Sequence, residues 1–266
     1  KRNFGMVGSK ELWRYKMAEE NKFPSEVIDL PSKGKIYSKD SPLASGKLEI
    51  KYMTAREEDI LTSQNLIKKG VVIEKLLDSL IITPGVSQND LILGDKNAVM
   101  VAARILAYGP EYGVEIDNPN TGEKIKTTFN LADCPFKELT EDVDSNEFEV
   151  ELPVSKNSIK FKLLTGKEEK QIEQEVKSQQ KLGSQISPEL TTRLKYSIVS
   201  VDGETDKNKI GNYVQNILSK DSLFLRNKMR DVSPDIEMKQ EIEIGGEMVK
   251  VDIPLTIEFF WPSTTT

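Results

Sequence analysis

The sequence predicts an α+β fold: two diverged repeats of one strand–helices–hairpin module, preceded by an extended N-terminal arm. Three observations predict it. An alternating strand runs straight into a Thr-x-x-Glu helix start over 47–57. The same pairing returns over 158–168, with its Thr 111 residues further on. Each copy then closes on two strand-like runs joined by turn residues. The expected division is an arm over 1–46, a first module over 47–145 and a second over 146–266.

In the arm, Pro31, Pro42, Gly34 and Gly46 disfavour long helices, and a short helix over 10–20 is expected. Its aromatics, Trp13, Tyr15 and Phe23, have no core of their own and need a surface to bury against. That surface is either this chain's own domain or a neighbouring subunit. Candidate partner contacts are Trp13, Tyr15, Phe23, Ile28, Leu30 and Tyr37, with Phe260 and Trp261 near the C-terminus, since aromatic anchors dominate interface energetics. The run 257–262 also reads as a core-packed last strand.

In the first module, Lys47-Leu48-Glu49-Ile50-Lys51-Tyr52-Met53 alternates with the period of a half-buried strand. Thr54 with Glu57 forms a capping box, and the helix it opens is expected to reach about Lys69, with Gly70 as its stop. A second helix is expected over 71–82, with Leu76, Leu77, Leu80 and Ile81 inward. Asp95 reads as the cap of a third, over 96–108. Strands near 113–117 and 124–130 follow, joined by Asn118-Pro119-Asn120-Thr121-Gly122.

In the second module, Ser158-Ile159-Lys160-Phe161-Lys162-Leu163-Leu164 alternates, and Thr165 with Glu168 repeats the box. A polar helix to about Leu182 and a helix over 188–199, with Ser187 as its cap, follow. An inserted stretch, 202–219, is expected to add a short helix. Asp221, ahead of a helix over 222–230, stands where Asp95 stands. Strands 237–244 and 247–254 are joined by Gly245-Gly246.

Composition excludes several classes of chemistry. The 266 residues carry no histidine and one cysteine, Cys134. Ser/His/Asp and Cys/His nucleophilic machinery is therefore excluded, as is zinc held by Cys and His. A single thiol makes no internal disulfide, which fits a reducing compartment. A net charge of −6 and a pI near 5.1 argue against a nucleic-acid partner. No apolar run approaches the roughly 20 residues of a membrane span, and no signal-peptide pattern is read. The chain opens at Lys1 rather than Met, so a cut, processed or unseen start is expected.

The remaining motifs have plain structural readings. Glu57-Glu58 and Glu168-Glu169 sit where a helix dipole favours negative charge, worth about 0.3–1 kcal/mol. The stretch from Asp202 to Tyr213 has Lys207 and Tyr213 where a calcium loop needs Gly and Glu. Neither of the standard nucleotide-phosphate cradles occurs. No cofactor, metal or small-molecule substrate is expected. A carboxylate-based hydrolase is the remaining enzymatic alternative.

Three ordered motifs carry a resemblance. They are Leu30-Pro31-Ser32-Lys33-Gly34-Lys35-Ile36-Tyr37, then Met53-Thr54-Ala55-Arg56-Glu57-Glu58-Asp59-Ile60-Leu61, then Leu93-Gly94-Asp95-Lys96-Asn97-Ala98 with Ala103-Arg104-Ile105 and Tyr108-Gly109. Over about residues 28–131 the chain resembles the baseplate hub and hub-assembly proteins of T-even-type contractile-tailed phages, with Phe260-Trp261-Pro262 as a weaker echo. The resemblance implies a non-enzymatic role in the tail baseplate, with other baseplate and tail proteins as partners and multiple copies per baseplate. It implies assembly in the host cytoplasm, either as a subunit of the virion or as an assembly chaperone absent from it. Some relatives place Cys-x-x-Cys in the hairpin turn; here the turn has no cysteine, so no metal knuckle is expected.

Overall fold

Alternation makes the first strand pair. In the computed structural model, which describes residues 23–117, 122, 124–141, 143–181, 187–244, 247–253 and 255–260, β1 (Ser25–Asp29) pairs antiparallel with β2 (Lys47–Lys51), Ser25 facing Lys51 and Asp29 facing Lys47. The arm expected over 1–46 therefore has its described part, from Phe23 on, folded onto the chain itself. Leu30 N donates to Gly46 O at 2.9 Å, so the register continues past β1. Between the two strands the chain turns through Gly34 at φ +77°. A Cβ there would lie 2.4 Å from Ala44 O, so the turn needs glycine.

α1 (Ala55–Thr62) follows, then α2 (Gln64–Lys69) and α3 (Val72–Leu80). The single helix expected up to Lys69 is broken at Ser63, whose extended ψ of 103° ends one helix and begins the next. α3 buries Val72, Leu76, Leu77 and Leu80, one stripe of an amphipathic helix. α4 (Leu93–Tyr108) is the central helix and buries Ala98, Val99, Met100, Val101 and Ala103. β3 (Glu111–Asp117) and β4 (Lys124–Asn130) form the expected hairpin, whose turn lies outside the described residues apart from Gly122. Short β5 (Phe136–Lys137) then leads to β6 (Phe148–Glu151) and β7 (Ser158–Phe161), which pair antiparallel.

α5 (Gly166–Lys181) and α6 (Glu189–Ser197) precede β8 (Ile198–Val201). Ile198 and Val199 were expected to extend the helix. Instead Ile198 faces Phe161 and Val201 faces Ile159, so these β-branched residues complete a three-stranded sheet β6-β7-β8. Pro188, not Ser187, precedes α6, with no side-chain cap. The inserted stretch holds α7 (Lys207–Asn216), capped by Asp206 through the amides of Asn208 and Lys209. After α8 (Ser219–Val232) come β9 (Asp235–Ile236), paired with β5, and the hairpin β10 (Lys239–Ile244) with β11 (Glu247–Asp252). The last described element is a 3-10 helix, Ile257–Phe260, where a strand was expected.

Two apolar clusters hold these elements. The first joins Leu48, Ile50, Leu76, Leu80, Val99 and Phe129 with Ile236, Met238, Ile253, Phe259 and Phe260. The second joins Ile36, Ile92, Phe148, Phe161, Leu194, Ile198 and Leu225. Tyr37 packs against both. The clusters are also tied by a bridge from Ile92 to Thr165, and by Gly166 N donating to Leu91 O at 3.0 Å.

Candidate protein-interaction surface

The carboxylates of the two capping boxes are engaged in structure. Glu57 is fully buried and accepts from Thr54 N at 2.8 Å, Thr54 Oγ1 at 2.6 Å, Lys51 Nζ at 2.7 Å and Ser79 Oγ at 2.5 Å. Burial pushes its pKa up, but the hydrogen bonds from Lys51, Ser79 and Thr54 outweigh it and hold the group at about 2. Glu168 repeats the arrangement: it accepts from Thr165 N at 3.0 Å, from Thr165 Oγ1, and from Lys162 Nζ at 2.5 Å. Its pKa is pushed up by burial and, more strongly, down by Lys162 and Thr165. Held low and saturated with donors, neither is poised to take or give a proton near neutrality.

Two further acids are fully buried. Asp95 was expected as an N-cap, but it lies inside α4 and receives Ser32 N at 3.0 Å, Ser32 Oγ at 2.7 Å and Tyr37 Oη at 2.5 Å. Burial raises its pKa against those hydrogen bonds, and burial beside Asp95 raises that of Tyr37. Tyr37 Oη also accepts from Ile92 N at 3.1 Å. Asp221 likewise lies inside α8 and receives Val154 N at 2.8 Å and Ser155 N at 2.9 Å. Each acid thus fastens a loop to a helix. Among the described residues no group of three or more Cys, Asp or Glu side chains is placed to hold a metal ion.

The candidate partner contacts separate by burial. Leu30 and Phe260 are fully buried in the first cluster. Both are therefore corrected from surface anchors to core residues: the β1–β2 register carries Leu30 inward, and the 3-10 turn does the same for Phe260. Arg104 locks that turn, donating from Nε to Phe259 O at 3.2 Å, while the Phe259 ring packs tilted against Tyr112, 5.1 Å between centroids. Tyr37 is committed to Asp95. Ile28 is half-buried. Phe23 is half-exposed, with Lys51 Nζ 4.9 Å from its ring centroid. Trp13, Tyr15 and Trp261 lie outside the described residues.

What faces outward instead is the edge of β1. Its Leu30 N bonds to Gly46 O, and Pro24 O receives Tyr52 N, so the even-numbered residues bond toward β2. By alternation the N–H and C=O groups of Ser25, Val27 and Asp29 point away from it. Among the described residues β1 pairs with β2 alone. Val27 is 61 % exposed. Beside this edge runs a groove of about 400 Å³, lined by Ile28, Asp29, Val101, Ile105, Phe136, Ile236 and neighbouring small residues. Its walls come from β1, α4 and the 131–136 and 236 segments, which no local pattern in the sequence brings together. A second groove, about 200 Å³, lies beside the second cluster, against Leu93, Leu190 and Met229. No helix among the described residues is long and apolar enough to cross a membrane.

These features define a scaffold held by buried polar ties, with a surface strand edge that no described residue pairs. A model of the T4 bacteriophage base plate protein family matches residues 24–243, and the chain belongs to that family. No curated protein and no solved structure matches it. Membership places the chain among phage tail baseplate proteins and supports a structural role with other baseplate proteins as partners.

Proposed function

We propose that this chain is a non-enzymatic subunit of the baseplate hub that joins neighbouring baseplate proteins through its N-terminal residues and its strand edges. The observation that carries the reading is the family match over 24–243. The open β1 edge beside an apolar groove supports it, as does the engagement of Glu57, Glu168, Asp95 and Asp221 in structural ties. An interface of about 800 Å² per partner would suffice. The protein assembles in the host cytoplasm and stays in the virion, in multiple copies.

We further read the chain as two copies of one module, divided near residues 145–146. Lys51, Thr54 and Glu57 are spaced as Lys162, Thr165 and Glu168 are, and make the same contacts. Asp95 receives one amide, from Ser32, and Asp221 two, from Val154 and Ser155, each from a loop that follows a Leu-Pro pair, Leu30-Pro31 and Leu152-Pro153.

Two measurements test the role. Quantitative mass spectrometry of purified phage particles should give a stoichiometric signal; absence from the particle would make the chain an assembly factor instead. A chain lacking residues 1–22 should keep its melting temperature and lower baseplate yield, and a wild-type yield would remove those residues from the mechanism.

A further inference from the structure

We infer that the outer edge of β1, with the groove beside it, is a strand-addition site. Its occupant is an extended segment of a neighbouring baseplate protein that alternates apolar residues with Lys or Arg. The inference rests on the joining role proposed above and specifies its chemistry.

The hydrogen-bonding pattern selects an extended backbone. Ser25, Val27 and Asp29 turn their N–H and C=O groups away from β2, and no described backbone group receives them. A row of unpaired edge groups is a template for another strand. The register is unbroken from Ser25 to Asp29, so the template is straight over five residues. Edge strands are commonly blunted by charge, as β6 is, where Glu149 and Glu151 are both exposed. β1 also carries exposed charges, Glu26 and Asp29, but sets exposed Val27 between them, with half-exposed Phe23 just ahead of the strand.

The groove selects the side chains. Most of its lining side chains are apolar, and its one charged member is Asp29. Phe136, on its far wall, is 39 % exposed, a large apolar surface left facing water. Alternate side chains of an added strand would enter this groove and cover Phe136 and Ile28. Charge sets the intervening positions. Asp29, which alternation puts on the face of Val27 rather than on that of Glu26 and Ile28, has only a long 3.8 Å contact with Lys47, in which both side chains are largely exposed. The edge is therefore acidic and complements basic residues between the apolar ones.

The test uses complexes of the tagged full-length chain isolated from phage-infected cells. Amide hydrogen exchange is compared with that of the isolated chain. In the isolated chain, Val27 and Asp29 should exchange fast and Ile28 slowly, because only Ile28 bonds to β2. In the complex, Val27 and Asp29 should slow by at least about tenfold. Val27→Pro removes an outward amide without touching a β1–β2 hydrogen bond, so it should lower incorporation about tenfold at an unchanged melting temperature. Should that variant melt early, the exchange comparison alone decides. Equal exchange in complexed and isolated chains overturns the inference. So does slow exchange of Val27 and Asp29 in the isolated chain, which would mean that the chain's own residues already cover the edge. If the chain enters particles with the edge unprotected, only this inference falls. If no complex forms at all, the joining role falls with it.

Discussion

At the scale of single residues, the two capping boxes show how burial changes the value of one arrangement. The Lys51–Glu57 pair is almost completely buried, whereas the Lys162 and Glu168 side chains are 31 % and 19 % exposed. Removing one charge from a buried pair strands the other, at a cost of about 3–5 kcal/mol, whereas a partly solvated pair loses about 1 kcal/mol. Glu57→Gln should therefore destabilise the chain several times more than Glu168→Gln in urea denaturation at neutral pH. Acid supplies the same contrast. Glu57 titrates at about 2 when folded, against 4.5 ordinarily, so its contribution is fully present above pH 4.5 and is lost as pH falls toward 2. That is roughly 3 kcal/mol, and Glu57→Gln should flatten stability over that range. Equal losses from the two substitutions would show that burial does not set the difference.

At the scale of elements, close approach matters more than propensity. α4 carries Gly94 in its first turn, and a Cβ there would lie 1.9 Å from Pro234 O and 2.8 Å from Asp235 Cα. The helix start presses directly on the backbone leading into β9, and Asn97 Nδ2 donates to Asp235 Oδ1 at 2.9 Å beside it. Gly94→Ala should cost about 3 kcal/mol, the upper end for overpacking, because backbone rather than a flexible side chain must move. Gly211 sits inside α7, where an added Cβ meets only Lys195 Cδ at 3.9 Å. Gly211→Ala should stabilise by about 0.5–1 kcal/mol through helix propensity. Thermal melts of the pair check both signs. The helices, their order and the hairpins were legible from period and turn chemistry. The break at Ser63 and the passage of Ile198 and Val199 into β8 were not, because the first is a backbone choice made by packing and the second depends on a sheet partner distant in sequence.

At the scale of the whole molecule, the last described residues complete the first cluster. Phe259 packs on Tyr112 and Phe260, and its carbonyl receives Arg104 from α4. Phe259→Ala should cost about 3–5 kcal/mol. It should also speed amide exchange in α3 and α4, far away in sequence. A loss confined to the last 25 residues would show that the C-terminal segment is a separate cooperative unit. The same connectivity decides between the core and surface readings that the sequence left open for two candidate contacts. Leu30 and Phe260 look like surface anchors while their segments are read alone, yet both are consumed by a core assembled from opposite ends of the chain.

Local information determined the class of this protein: periodicity wrote the strands and helices, Thr-x-x-Glu spacing placed two helix starts, and the lack of histidine removed whole kinds of chemistry. Those properties depend on neighbours a few residues apart, so they can be read along the chain. Which apolar residues become core, and which strand keeps an edge that no described residue pairs, was decided only in three dimensions. Burial is a sum over contacts between segments, and the groove beside β1 exists because residues near 28, 101, 136 and 236 converge there.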